Sequence, residues 1–490
     1  MTVTRTVLWV LGAAVLVRLP FLAVLPSPDE AGLLIIGGQW HAGDSLYGDY
    51  WVDRSPLLIG VYEIAADVGG VVALRLLGLL AVAATVLLCA LAGQRLGGDR
   101  AARWAAATAA LLTVSPWLGA ERVNAELLAA PWIALGVYGA VRAVEDPRVL
   151  RWSALVGAAT VAGIATKQNH ADAGVFLLAL VGASLVAGAL TRRAAVRVLG
   201  IAVLGALTTA AALLLWAWAR GSSPADVFDA LFAFRLRAAE VMSVTPSSAA
   251  PERRGEVWAR SVITGQALLV LAVLLAPWWR RFRSPAAVAL AITTAYACFS
   301  ISAGGSWWSH YLVQLAVPLS VGAGLIATRS RRFVPLLVAY GAAAAVVGVV
   351  VMRPLLVTAG WEVAAGRMIS QVAEPADTVV NAWGRPDLVL AAGLESPYEH
   401  LWSLPVRTDD PHLTRFLEIL DGPDAPTWLV TPGSLRAPGV TPDAAEAVVE
   451  RLYRTVATVC GREILLRRDV ERPAPPAPRD VECKPSERWR

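Results

Sequence analysis

Charge is what this chain has least of. Only 17% of its 490 residues are charged, where a soluble protein of this size carries about 25%. The shortage is uneven. Across residues 6–352 the charges sit in short clusters, and the stretches between them are runs of Ala, Leu and Val. A mean hydropathy of +0.56 excludes an ordinary soluble globule, and runs of about 17–25 apolar residues match the hydrocarbon core of a bilayer. Because lipid offers the backbone no partners, each run is read as a helix. Cysteine is rare too, at four residues. Cys89 and Cys298 lie inside apolar runs and are read as small buried hydrophobes. Cys460 and Cys483 lie in a polar tail and can pair once, provided the tail faces an oxidising compartment. Of five histidines, His41, His400 and His412 have no metal-ligand spacing and are read as surface or structural groups. No repeat of fixed period is present, so the inverted-repeat sign of a transporter is missing. Gly97-Gly98 and Gly304-Gly305 lack a nucleotide-binding pattern. The formal net charge of +5 does not imply nucleic acid, since the arginines cluster in loops between apolar runs.

Hydropathy marks about eleven spans, near 6–25, 71–94, 104–118, 123–141, 153–166, 173–190, 198–219, 262–279, 285–302, 311–328 and 333–352. The first lacks a small-residue cleavage site and is followed by many others, so it reads as a retained helix and not as a signal peptide. Alternate loops differ sharply in positive charge. One set holds Arg95, Arg100 and Arg103; Arg142, Arg148 and Arg151; Arg192, Arg193 and Arg197; Arg280, Arg281 and Arg283; Arg329, Arg331 and Arg332. The short loops of the other set are nearly free of Lys and Arg, with Arg122 and Lys167 as exceptions. The Arg-rich set is expected in the cytoplasm with the N-terminus, which puts the C-terminal region outside. The fold class is therefore mainly α: a polytopic transmembrane helical bundle over 1–352 and an extracytoplasmic α/β domain over 353–490. Strand-like pieces at 378–382, 427–431 and 463–466 and a helical piece at 442–453 support that second domain. Its last stretch, 472–490, is rich in Pro and charge and is expected to be flexible unless Cys483 ties it down.

Two outward segments before the tail are long enough for chemistry, at 26–70 and 220–261. The second holds Arg235, Arg237, Glu240, Arg253 and Arg254. The first reads Ser27-Pro28-Asp29-Glu30-Ala31-Gly32, then Gln39-Trp40-His41, Leu46-Tyr47-Gly48-Asp49-Tyr50-Trp51 and Asp53-Arg54-Ser55-Pro56-Leu57-Leu58. Pro28 and two carboxylates suit the opening of a helix, with acidic groups in its first turn. Capping explains one carboxylate well. It does not explain so many polar and aromatic residues at a membrane surface.

The order Asp-Glu-Ala after the first span, Leu-Tyr-x-Asp-x-Trp, and a basic residue before Pro-Leu resembles the GT-C glycosyltransferases. Among these it is most similar to the branch of protein O-mannosyltransferases and the lipid A aminoarabinose transferase. The resemblance implies transfer of a sugar from a polyprenyl-phosphate carrier on the outer face of the plasma membrane. It makes Asp29 the general base that deprotonates an acceptor hydroxyl and has Glu30 orient or hold the acceptor. Asp49 belongs to the same polar loop as a substrate-binding candidate. Arg54 stands where the family has a Lys that contacts the carrier phosphate, a role suited to arginine's paired hydrogen bonds. Ser55 replaces a proline of that motif, a change expected to loosen the backbone.

Two later clusters join the list. Thr166-Lys167-Gln168-Asn169-His170-Ala171-Asp172 places a lysine against the charge bias, and related chains show Lys after Thr here; Lys167 and His170 are candidates for the phosphate or sugar, with a solvated turn as the alternative. His310-Tyr311, followed by Gln314 and Pro318, resembles a motif facing the family's cavity, although adjacent Trp and Tyr also suit an aromatic belt. No metal is expected, and the implied ligands are the polyprenyl-phosphate sugar and a glycan, lipid or protein acceptor. The rival class is a non-enzymatic carrier or flippase of lipid-linked precursors. Such proteins place charged groups at mid-span, whereas the candidates here gather at the outer surface. In the tail, Trp383, Tyr398, Trp402 and Arg407 are acceptor-recognition candidates by residue type alone.

Overall fold

The structure, a computed structural model, describes residues 5–245, 250–357, 359–382, 384–431, 434–478, 481 and 483. Helices occupy each window marked by hydropathy. In chain order they are α1 (Arg5–Arg18), α2 (Pro28–Gln39), α3 (Pro56–Val114), α4 (Ala125–Glu145), α5 (Leu150–Thr166), α6 (Asp172–Val186), α7 (Arg192–Ala219), α8 (Pro224–Phe228), α9 (Phe234–Val244), α10 (Ala250–Ile263), α11 (Gln266–Leu275), α12 (Pro285–Ala303), α13 (Ala316–Ala327) and α14 (Phe333–Val357). Among the described residues, seven helices are long and apolar enough to cross a bilayer, or eight if the pair α10–α11, bent by 77°, is one span. α3 supplies two legs of the bundle. Gly70 (φ +58°) and Gly98 (φ +68°) divide it into 56–68, 71–96 and 99–114, because glycine takes positive φ at no steric cost. The helices α5 and α6 are apolar but shorter.

The bundle's outer surface is apolar. Only 11% of the apolar window of α7 and 17% of that of α14 is buried, so Leu204, Leu207, Leu336 and Val350 face outward. In water such a belt would be a very large hydrophobic patch; in lipid it faces its own kind. The chain is a multi-pass membrane protein. The loops sort to two ends. At one, Arg95 approaches Glu145 at 3.6 Å and Arg100 Nε donates to the Ala327 carbonyl at 2.6 Å, so the Arg-rich loops meet one another. At the other, Gly43 donates its N–H to the Arg220 carbonyl at 3.1 Å, and Arg260 Nη1 donates to the Trp117 carbonyl at 3.3 Å.

Beyond the bundle lie α15 (Trp361–Ser370), α16 (Pro386–Ala392), α17 (Ser403–Asp409), α18 (Thr414–Leu420) and α19 (Asp443–Leu452), with four strands: β1 (Val379–Asn381), β2 (Trp428–Thr431), β3 (Tyr453–Val459) and β4 (Arg462–Arg467). The sheet order is β1-β2-β4-β3. β1 pairs parallel with β2, and the other pairings are antiparallel. Both faces are covered. Trp361, Met368 and Leu388 pack with Trp428 and Ile464 on one side, while Phe416, Ala445 and Val449 pack with Leu429 and Leu465 on the other. The edge strand β3 was not expected. It joins β4 through Cys460 (φ +50°) and Gly461 (φ +77°), the two positive-φ positions of a tight hairpin turn. Cys460 is disulfide-bonded to Cys483, with Cα atoms 5.3 Å apart, which ties part of the terminal stretch to the sheet.

Candidate active site

The two adjacent carboxylates of α2 part ways. Ser27 begins the helix: its Oγ accepts the Glu30 N–H at 3.2 Å, and Glu30 Oε2 accepts the Ser27 N–H at 2.8 Å, a reciprocal cap. Glu30 Oε1 also accepts the Val123 N–H at 2.6 Å, and Arg75 Nη2 donates to Oε2 at 3.0 Å. Glu30 and Arg75 side chains are each 1% exposed. Both carboxylate oxygens of Glu30 are thus committed inside the protein, and the structure does not bring this group to a substrate. Instead it pins α2 to α3 and to the loop before α4. Breaking one partner of a buried pair strands the other charge, at about 3–5 kcal/mol. Glu30→Ala is therefore expected to lower the thermal melting point of the detergent-solubilised protein well below that of a surface-carboxylate control. An unchanged melting point would remove this anchoring role.

Asp29 points the other way and is exposed. Trp402 of the tail domain donates its Nε1–H to Asp29 Oδ1 at 3.2 Å. Asp29 is also near enough to Arg54, Tyr62 and His310 for its charge to act on each.

Arg54 leaves the loop just before α3. It pairs with Asp53, and Arg235, one residue into α9, pairs with the same carboxylate. Burial would push the Asp53 carboxyl up, but Arg235 and then Arg54 outweigh it and hold the group below its ordinary value. Burial opposes the charge of Arg54 as well; Asp53 and Asp29 outweigh it and raise the guanidinium above its usual range. For Arg235, burial prevails and lowers it, yet an arginine stays charged under any ordinary condition. Two guanidiniums are thus held side by side by one carboxylate. Ser55 does not loosen this turn as expected. Its φ of −72° matches proline's fixed value, its Oγ caps α3 by accepting the Leu57 N–H at 3.2 Å, and its hydroxyl donates to the Ala165 carbonyl at the end of α5.

That bond brings the lysine cluster alongside. Lys167 pairs with Glu126 on α4 and lies 4.0 Å from the centre of the Tyr311 ring. His310 Nε2 is 3.8 Å from the same Glu126 carboxylate, with its ring edge-on to Tyr311 at 5.1 Å. Gln168 Nε2 donates to the Asp53 carbonyl at 2.9 Å, closing the circuit between the two cation groups. Of the sequence candidates, Asp29, Arg54, Lys167, His310 and Tyr311 share this end of the bundle.

Asp49 does not join them, and His170 lies close enough to Lys167 and Glu126 to interact with both but with its ring buried. Asp49 Oδ2 accepts the Ser45 N–H at 2.6 Å and so caps its own exposed turn. His170 is buried, with Nδ1 3.2 Å from Asn169 Oδ1; burial pushes it down to about 3, leaving a neutral ring turned inward. In the tail, Trp402 reaches the site, and Arg407 Nη2 donates to the Thr245 carbonyl at 2.7 Å. Tyr398 is buried and donates to Asp410 at 2.9 Å. Trp383 lies outside the described residues. Sequence reasoning missed the roles of Glu126, Asp53 and Arg235. Glu126 carried a signal, an acidic residue at the start of a span in a bundle nearly devoid of them.

No protein-family model matches the chain, and no curated protein matches its sequence. Solved structures do match its fold. ArnT from Cupriavidus metallidurans bound to undecaprenyl phosphate superposes with a TM-score of 0.61 at 17% identity, over 95% of this chain and 98% of that one. Its apo form gives 0.62 at 16% identity, over 94% and 97%. The Archaeoglobus fulgidus oligosaccharyltransferase tethered to an acceptor peptide gives 0.53 at 13% identity, over 92% of this chain and 72% of that one. The chain has the fold that these structures share.

Proposed function

We propose that this protein is a membrane glycosyltransferase that moves a sugar from a polyprenyl-phosphate carrier to an acceptor hydroxyl of the cell envelope. The observation that carries the proposal is a carboxylate, Asp29, near enough for its charge to act on Arg54, which Asp53 holds beside Arg235, at one end of a transmembrane bundle. Asp29 Oδ2 takes the acceptor's proton as the acceptor oxygen bonds to the anomeric carbon. The bond from that carbon to the carrier's phosphate oxygen breaks, and its electron pair stays on the phosphate. Charge rises there, where Arg54 and Arg235 stand with Lys167 close by. His310 and Tyr311 complete the wall on the lysine side, and Glu30 acts at a distance by fixing α2. The similar ArnT structure holds undecaprenyl phosphate, which supports a polyprenyl phosphate as this chain's carrier.

The site end is assigned to the outer face of the plasma membrane. The Arg-rich loops gather at the opposite end, as cytoplasmic loops do, and a disulfide in the tail domain suits an oxidising compartment. The purified protein in liposomes, supplied with a polyprenyl-phosphate sugar and a soluble glycan or lipid acceptor, is expected to release polyprenyl phosphate and form one glycosidic bond per turnover. Mass spectrometry of lipid co-purifying with the protein is expected to show a polyprenyl phosphate. Movement of the lipid-linked sugar across the bilayer with no new glycosidic bond would overturn the assignment.

A further inference from the structure

We infer that Trp402 of the tail domain is a positioning residue for Asp29, fixing one carboxylate oxygen so that the other meets the acceptor. The inference rests on Asp29 being the base. Among the described residues, the indole N–H is the one hydrogen-bond donor to the Asp29 side chain. A carboxylate held through Oδ1 presents Oδ2 in a defined direction, and that direction is set from a domain far along the chain.

The indole is seated with care. It lies where a side chain at residue 32 would be: a Cβ built on Gly32 meets two ring atoms of Trp402 at 2.4 and 2.6 Å and Pro386 at 3.0 Å. Gly32 is one turn along α2 from Asp29, so the helix surface is cut away beside the base and the tail domain fills the space. The segment that carries Trp402 is held at several further points. Leu401 belongs to the bundle's own apolar core, and Leu404 packs against Trp51 and Phe234. Asp409 is 3.3 Å from Arg237, and Arg407 grips Thr245. Phe234, Arg235 and Arg237 are neighbours on α9, so the surface that seats Trp402 also carries one of the phosphate-site arginines.

The charged and titratable groups facing Asp29 are Arg54 from the loop before α3, Tyr62 on α3 and His310 ahead of α13. Its neighbour Glu30 is matched by Arg75. None of these groups is altered when Trp402 becomes Phe, which removes the N–H donor together with the ring atoms over Gly32. Bonds to charged groups are the stronger kind, and a reacting group displaced by about 1 Å costs around 10²-fold. Trp402→Phe should therefore lower kcat by up to about 10²-fold, with KM for the polyprenyl-phosphate sugar and the melting point close to wild type. Gly32→Ala, which displaces the ring and leaves both interacting groups intact, should lower kcat with the same unchanged donor KM. A purely structural indole would change the melting point or raise the donor KM along with any loss of kcat. Wild-type kcat for Trp402→Phe, while Asp29→Asn has lost transfer, would overturn the inference and leave the base in place. Normal transfer by Asp29→Asn would remove the base itself, and the inference with it.

Discussion

Asp29→Asn should slow sugar transfer by about 10²–10⁴-fold, the range over which a positioned general base acts. The substitution isolates the proton. Asn keeps the size of the side chain and an oxygen that can accept the Trp402 N–H, so the docking of the tail domain should survive. What disappears is the group able to receive a proton from an attacking hydroxyl. The loss should fall on kcat, because the carrier phosphate is held by other residues and its binding does not depend on Asp29 being charged. Asp29→Glu should keep a base but displace it by a methylene, and misplacement of about 1 Å at a reacting centre costs around 10²-fold. Transfer from a radiolabelled polyprenyl-phosphate sugar, followed with saturating donor, measures both. Full activity in Asp29→Asn would eliminate Asp29 as base. A loss confined to KM would recast it as a residue that binds the acceptor.

Most of the architecture was legible because lipid restricts the choices. A run such as 333–352 has one low-cost conformation in a bilayer, and the arginines between runs mark alternate ends. The strands at 379–381, 428–431 and 462–467 were legible too, as short apolar runs. The edge strand β3 was not. Its exposed Arg454 and Thr455 blur the alternation, and its identity depends on the Cys460-Gly461 turn that folds it back on β4. The site was legible in part. Asp29 and Arg54 stood in a recognisable order along one loop, and both reach the site. Glu30 was read as its neighbour's partner in chemistry, since adjacency in sequence hides the fact that consecutive helical residues point in different directions. His170 stays beside Lys167 in the fold, with its ring buried. Arg235 was one of six arginines in its segment, and nothing local distinguishes it; only the fold shows which of them meets Asp53. Ser55 shows the opposite error. A departure from a motif need not weaken it when a hydroxyl can hold the backbone at proline's angle.

Removal of either guanidinium should cost transfer about 10²–10³-fold, the typical loss when one group that stabilises developing charge is deleted. Arg54→Ala and Arg235→Ala should not be additive. Both arginines are held by Asp53, so losing one frees the other to swing toward that carboxylate and away from the phosphate, and residues sharing a partner couple. Arg54→Lys should recover only part of the loss, because an ammonium keeps the charge and lacks the planar fork. Asp53→Asn should weaken lipid retention even though it removes a negative charge from a phosphate site, because it releases both cations at once. The pH dependence has a definite sign. The Asp53 carboxyl is held below its ordinary value of about 4, so its stabilising contribution is complete above that pH and is lost as pH falls through the lower, folded value. Between about pH 5 and 9 the arginine clamp should therefore not titrate. Polyprenyl-phosphate binding by the wild-type protein should then stay level across that window. Binding that falls along with transfer in the same window would place the titration in the clamp, and would show that Asp53 is not held ionised by its two arginines.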